Sequence, residues 1–206
     1  GNHAKKDPLI IEQFGKLQNA ILYEPKIEKS DYFSIDSLTD FIKTGKFGGI
    51  LALGGGTILD TAKCAAILAK HEGKIEDFVT IKKYELTRKG LPLIAIPTTA
   101  GTGSEVTPFA VIWENKKYSL TSDYIYPDIA IVDPALTDNC PFYITATSGI
   151  DALCQAIEAF WNVNHNPISD KYALKSITTI LENLENAVNK PSKLSRDKMS
   201  WGSLLG

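Results

Sequence analysis

The chain has 206 residues, 44% of them hydrophobic, 22% charged and 9% aromatic, with a net charge of −2 and a pI near 6.0. That apolar content excludes a disordered chain, apolar runs as short as 64–69 exclude a membrane helix of about 20 residues, and residues 1–7 hold no apolar segment of the secretory type. The near-neutral balance excludes a nucleic-acid partner. Cys64, Cys140 and Cys154, odd in number and without a CxxC pair, predict a reduced, cytoplasmic chain with no disulfide framework and no thiolate zinc site.

In chain order, residues 20–23 (AILY) read as a short strand that exits at Glu24-Pro25. A helix follows, with Ser34 or Asp36 as N-cap, Ile35, Leu38, Phe41 and Ile42 at helical spacing, and Gly45 at its close. Residues 50–53 form an apolar strand of the kind buried on both faces of a parallel sheet. Residues 57–70 form a helix, and residues 93–96 a second buried strand ended by Pro97. Segments 110–113 and 118–120 flank a polar turn and predict a β-hairpin, and residues 129–132 predict a further strand. From about Cys140 the pattern changes. Segments 145–161, 169–187 and 195–205 carry apolar residues three and four apart with no strand signal, and NVNHNP (162–167) is a polar loop between two of them. The fold class is α/β: a parallel-sheet nucleotide-binding domain over 1–140, then an incomplete all-helical domain over 141–206.

Residues 51–63 (LALGGGTILDTAK) place Gly54, Gly55 and Gly56 between a buried strand and a helix. A helix N-terminus leaves amides unpaired and carries about half a positive charge. Glycines admit a phosphate to that backbone and permit positive φ, while Thr57 is placed to cap the helix and to offer its hydroxyl. The Walker A pattern fails here, and so does G-x-G-x-x-G, because Leu59 stands at its third glycine. The same turn also reads as a tight connection without a ligand. Residues 96–107 (IPTTAGTGSEVT) form a second glycine-containing segment dense in hydroxyls. Ligands of open parallel sheets lie beyond the carboxyl ends of the strands, so the two turns are expected to converge on a crevice that suits two phosphates and two riboses. The alternative is a solvated Ser/Thr-rich loop.

Residues 148–160 (SGIDALCQAIEAF) set Asp151 and Gln155 four apart on one helix face, with Glu158 three further on. A carboxylate and an amide oxygen suit a hard cation; alternatively, Asp151 is a first-turn acid that favours the helix dipole. His3 lies near the start, His71 is placed to satisfy terminal helix carbonyls, and His165 sits in a polar loop. No Ser/His/Asp set and no H-E-x-x-H occurs.

These segments, with YPDIAIVDPAL (126–136) and the REKM-like Arg196-Asp197-Lys198-Met199, resemble the iron-containing (group III) alcohol dehydrogenase family from about Asn19 to the end. The resemblance implies that the α/β domain binds NAD(H) or NADP(H). Gly54, Gly55, Gly56 and Thr57 match the pyrophosphate turn, with Asp60 and Lys63 on the helix it opens. Thr98, Thr99 and Thr102 match the second cofactor loop, and Lys117 matches a hairpin lysine near the ribose. It further implies a divalent metal, iron or zinc, that polarises the substrate oxygen while hydride passes between nicotinamide and carbonyl carbon. Asp151 matches the first metal ligand. The family places histidine where this chain has Gln155, a poorer transition-metal ligand, and its other two histidine ligands fall beyond residue 206. The family is nearly twice as long, so the chain is expected to be a fragment without the first strand and much of the helical domain. Gln155 followed by FWNVN (160–164) is similar to the phosphonoacetaldehyde reductase branch. The expected activity is NAD(P)-dependent, metal-type interconversion of a small aldehyde and its primary alcohol in a cytoplasmic homo-oligomer, a dimer. The alternatives are a catalytically inactive nucleotide-binding fragment, or a component of an oligomer only.

Overall fold

The computed structural model describes residues 8–24 and 27–206. The chain divides into two compact units: the residues up to Ile96 with Ser104–Ile131, and Pro97–Gly103 with Val132–Gly206.

In the first unit, α1 (Pro8–Gly15) comes first. Residues 20–24 form no strand, contrary to expectation. Ile21 and Leu22 are 66% and 62% exposed, so this apolar run has no sheet neighbour to pair with, and pairing rather than propensity makes a strand. The predicted exit residue Pro25 lies outside the described residues, as does His3. Helix α2 (Tyr32–Gly45) starts ahead of both predicted caps: Asp31 is the N-cap and its carboxylate accepts from Ser34 N at 2.8 Å. Asp36 instead accepts from Ile75 N at 3.1 Å, which ties α2 to α4 (Ile75–Val79), a single-turn helix too short to show a periodicity.

Strands β1 (Ile50–Gly54), β2 (Leu93–Pro97) and β5 (Ile129–Ala130) form a sheet in the order β1-β2-β5. Strands β2 and β5 pair in parallel, with Ile94 opposite Ile129 and Ala95 opposite Ala130. Strand β5 is shorter than predicted, although Ile131 N still donates to Ala95 O. Strand β1 is buried on one face only: Ala52 and Gly54 point inward while Leu51 is 38% exposed. The covering element is α3 (Gly56–Leu68), whose Leu59 and Ala62 pack on Ala52, Leu93 and Ala95. On another side of α3, Cys64, Ile67 and Leu68 meet Ile35, Ile75 and Ile112; on a third, Ala65 meets Ile42 and Leu91. A helix covered on several sides is mostly apolar, which is why the Ala-, Ile- and Leu-rich segment lies here, and its buried polar residues, Asp60, Thr61 and Lys63, all have hydrogen-bond partners. At its C-terminal end His71 Nδ1 lies 2.8 Å from Ile67 O, and in the turn that follows the helix Lys43 and Arg88 donate to His71 O and Lys70 O. The predicted capping role of His71 is thus present. Strands β3 (Phe109–Trp113) and β4 (Lys117–Thr121) form the antiparallel hairpin, with Ala110 opposite Leu120 and Trp113 opposite Lys117. Their period-two alternation turns Ala110, Ile112 and Leu120 inward and leaves Phe109 and Trp113 exposed.

The second unit contains α5 (Phe142–Trp161), α6 (Pro167–Asn189) and α7 (Lys193–Leu205). Asn166 caps α6 with Pro167 at its first position, and Ser192 caps α7. Ala152, Ile180, Ala187 and Met199 form its core, with Ala100 packed against them. The REKM-like segment is structural: Arg196, 6% exposed, donates to Thr145 Oγ1 at 2.7 Å and to Cys140 O at 3.1 Å, pinning α7 to the start of α5. No helix among the described residues is long and apolar enough to cross a membrane.

Candidate functional site

The glycine turn joins β1 to α3. Gly55 is the N-cap of α3, at φ −77° and ψ −177°, and no side chain caps the helix. None of the three glycines adopts positive φ; among the described glycines only Gly73 and Gly103 do. Thr57 does not cap, because α3 begins at Gly56 and places Thr57 inside the first turn. Its side chain is exposed and its carbonyl accepts from Thr61 Oγ1 at 2.8 Å. Gly54 supplies space rather than unusual dihedrals: a Cβ there would lie 2.7 Å from Ile58 Cβ and Cγ1. Gly55 O accepts from Ile58 N and Leu59 N at 2.9 and 3.2 Å. The amides of Gly56 and Thr57 have no acceptor among the described residues. Two open donors at the positive end of a helix are what an anion requires.

One turn further along α3, Asp60 and Lys63 are buried, 8% and 1% exposed. Asp60 Oδ1 accepts from Ser104 Oγ at 2.6 Å, and Oδ2 from Val111 N at 3.0 Å. Lys63 Nζ donates to Ser104 O at 2.8 Å and to Phe109 O, with Ser104 Oγ and Thr107 Oγ1 at 3.3 and 3.4 Å. Burial pushes the Asp60 carboxyl above its ordinary range, against the pull of Ser104, Val111 N and the two lysines, Lys63 and Lys117. Burial lowers Lys63 to about 8, opposed by the charge of Asp60. Glu105, 5% exposed, is raised by burial and drawn back by Lys63. Glu105 and Ser104 were not singled out from the sequence; the available signal was an acid and a hydroxyl directly after a glycine at φ +59°. Lys117 lies exposed at the start of β4, its Nζ 5.7 Å from the Trp113 ring centroid.

In the second unit, Thr98 is buried and Thr99 and Thr102 are half-buried. The segment carrying them is seated on α5: a Cβ at Gly101 would lie 2.8 Å from Ser148 Cβ and 3.0 Å from Ser148 O. Asp151 and Gln155 do share a face of α5, and Gln155 Nε2 donates to Asp151 Oδ2 at 3.0 Å. Because α5 begins at Phe142, Asp151 lies in its third turn, and the first-turn dipole reading fails. Glu158 is exposed. Among the described residues no group of three His, Cys, Asp or Glu side chains is placed to hold a metal. His165 pairs with Asp170 at 3.0 Å in the loop before α6 and does not join the Asp151 pair.

Comparison with known proteins agrees with this architecture. The family described as iron-containing alcohol dehydrogenase matches residues 15–134, and its C-terminal counterpart, the Fe-containing alcohol dehydrogenase family, C-terminal, matches 145–206. Long-chain-alcohol dehydrogenase 1 of Geobacillus thermodenitrificans is 43% identical over 188 residues, 90% of this chain and 46% of that protein. Sulfoacetaldehyde reductase from Bifidobacterium kashiwanohense, solved in complex with NAD+, superposes with a TM-score of 0.85 at 36% identity, over 90% of this chain and 50% of that one. NADH-dependent butanol dehydrogenase A from Thermotoga maritima superposes at 0.89 with 26% identity, over 99% and 53%. The chain therefore spans about half the length of the proteins it matches. The chain belongs to the iron-containing alcohol dehydrogenase family.

Proposed function

We propose that this chain carries the dinucleotide-binding part of an NAD(P)-dependent dehydrogenase that interconverts a small aldehyde and its primary alcohol. The observation that carries the reading is the pair of open amides, Gly56 and Thr57, at the start of α3. They and the helix dipole offset the charge of a pyrophosphate. Gly54 lets the turn close against Ile58, Gly55 keeps the approach free of a side chain, and the Thr57 hydroxyl offers a further donor. Thr98, Thr99, Thr102 and Lys117 complete the proposed cofactor set by family likeness, and Asp60 lies one turn further along α3. A nicotinamide held here would supply hydride to the carbonyl carbon of the aldehyde, or accept it from the carbinol carbon of the alcohol. NAD(H) is favoured by what two neighbours are described as using; NADP(H) is the other outcome. The test is titration with NADH and NADPH, followed by nicotinamide fluorescence. No binding at millimolar cofactor by a folded chain sinks the reading.

The residues present do not fit a transition metal. Asp151 and Gln155 satisfy each other, and a carboxamide is a weaker ligand than imidazole. Asp151 and Gln155 stand only as a proposed partial metal site. This same pair favours a second reading, a cofactor-binding but catalytically inactive chain. Aldehyde-dependent NADH oxidation, with elemental analysis for metal, separates the two. For the whole protein we propose a small aldehyde with an anionic head group, a phosphonate or a sulfonate, supported by the FWNVN segment and by the solved relative that is a sulfoacetaldehyde reductase. A cytoplasmic dimer is proposed on family likeness alone, and sizing chromatography tests its oligomeric part.

A further inference from the structure

We infer that Asp60 and Lys63 are positioning residues, a buried clamp that fixes the first turn of α3 on the Ser104–Val111 segment, rather than groups that touch the dinucleotide. The inference rests on the cofactor reading above and gives Asp60, which family likeness alone would count among the cofactor residues, and its neighbour Lys63 a supporting role instead.

The hydrogen bonds commit both side chains to the protein itself. An ammonium has three hydrogens; Ser104 O and Phe109 O take two, and the Ser104 and Thr107 hydroxyls share the third. Each carboxylate oxygen of Asp60 already accepts from a group on the Ser104–Val111 segment, Oδ1 from Ser104 Oγ and Oδ2 from Val111 N. The two residues are three apart, so they lie on one face of α3, and together they grip the chain at Ser104, Thr107, Phe109 and Val111. The open amides of Gly56 and Thr57 lie one turn before this grip. The charges also require the pair. A buried carboxylate close to a site for two phosphates would repel them unless compensated. The charged and titratable groups facing Lys63 are Asp60 and Cys64 from α3 and Glu105 from the turn after Gly103; Lys117 of β4 faces Asp60. Lys63 is thus the cation whose charge acts on both buried acids, Asp60 and Glu105. Burial lowers it to about 8, so its charge is lost in a range where NADH can still be assayed.

The experiment compares the wild-type chain with K63M, D60N and the K63M/D60N double variant. It measures NADH dissociation constants near neutrality and at about pH 9.5, far enough apart to span the lysine titration, with a thermal melt of each protein. Each single variant is expected to weaken NADH about tenfold near neutrality, and the double variant no more than the worse single, because a clamp fails as a unit. Wild-type affinity falls toward alkaline pH, whereas the affinity of the double variant does not change. Losses that multiply in the double variant, as for two independent ligand contacts, overturn the inference; so do unchanged affinities in folded variants. If a charge variant fails to fold, Ser104→Ala keeps both charges, removes the donor to Asp60, and is expected to weaken NADH about threefold with the alkaline fall retained. Amide spectra without ligand separate this inference from the cofactor reading. The Gly56 and Thr57 signals should move in K63M or in Ser104→Ala. Unmoved signals in a folded variant sink the clamp, whereas a wild-type chain that fails to bind NADH sinks the cofactor reading.

Discussion

Helices α3 and α5 each carry an aspartate and a polar partner on one face, and the two pairs do different work. Asp60 and Lys63 of α3 are 8% and 1% exposed, and they reach across to Ser104, Thr107, Phe109 and Val111. Asp151 of α5 is exposed, and the contact found for it is with Gln155, four residues along the same helix. Same-face spacing is a property of one helix and appears in both. Burial and bonds to other elements are not, and they decide the energy. A buried polar group without its partner costs about 1–3 kcal/mol, whereas an exposed i,i+4 contact contributes about 0.2–0.5 kcal/mol.

The sharpest way to break this comparison is to remove both aspartates in turn. Asp60→Ala orphans the Ser104 hydroxyl and the Val111 amide and should cost about 3 kcal/mol in denaturant unfolding. Asp151→Ala should cost less than about 0.5 kcal/mol. Equal costs would show that burial is not what separates the two helices.

A second test uses proton linkage. Lys63 is lowered by burial from an ordinary 10.5 to about 8 in the folded chain. Between those values the folded state binds fewer protons than the unfolded state, so stability rises with pH, with a slope approaching about 1.4 kcal/mol per pH unit. Below that window the folded chain carries the full cost of the buried ammonium. The difference in unfolding free energy between wild type and K63M, followed from about pH 7.5 to about pH 10.5, isolates this term from other titrations. A flat difference would contradict it.

A third substitution probes what the α3 turn is for. Gly55 sits at φ −77° and ψ −177°, extended backbone open to any residue, so Gly55→Val should leave the melting temperature nearly unchanged. Its side chain would still stand at the start of the helix, where the phosphate must approach, and NADH affinity should fall at least about tenfold. Fluorescence titration beside a thermal melt checks both halves. Affinity retained would move the phosphates elsewhere.

Much of this was legible in the sequence. The hairpin, the β1–α3 turn and the helices after Pro141 follow from period and from glycine placement, since those signals are local. What failed was non-local. Residues 20–23 have strand composition but lack a neighbour, and Asp31 took the cap from Ser34 and Asp36 because the helix begins earlier than its apolar stripe. Thr57 was assigned a capping role that a glycine at the N-cap position removes. The clamp was invisible for the same reason: Asp60 and Lys63 show their spacing in the sequence, but Ser104 and Val111 are separated from Asp60 by 44 and 51 residues. Asp151 and Gln155 were read correctly as one face, because their geometry needs only one helix.

The smallest expected effect lies at Gln155. Gln155→Ala removes one exposed side-chain hydrogen bond and should change stability by less than about 0.5 kcal/mol. Gln155→His is the informative partner, because it puts an imidazole four residues from Asp151, the i,i+4 spacing at which two side chains on one helix face can meet. Two ligands hold zinc weakly, since structural sites use four and catalytic sites three from the protein, and no third is placed among the described residues. Calorimetric titration with Zn2+ should therefore detect binding by Gln155→His that the wild-type chain lacks, still far weaker than a complete site. Zinc bound equally by both chains would mean that the carboxamide is already an adequate ligand. In that case α5 would hold a working polar site after all, and its contrast with α3 would rest on exposure alone.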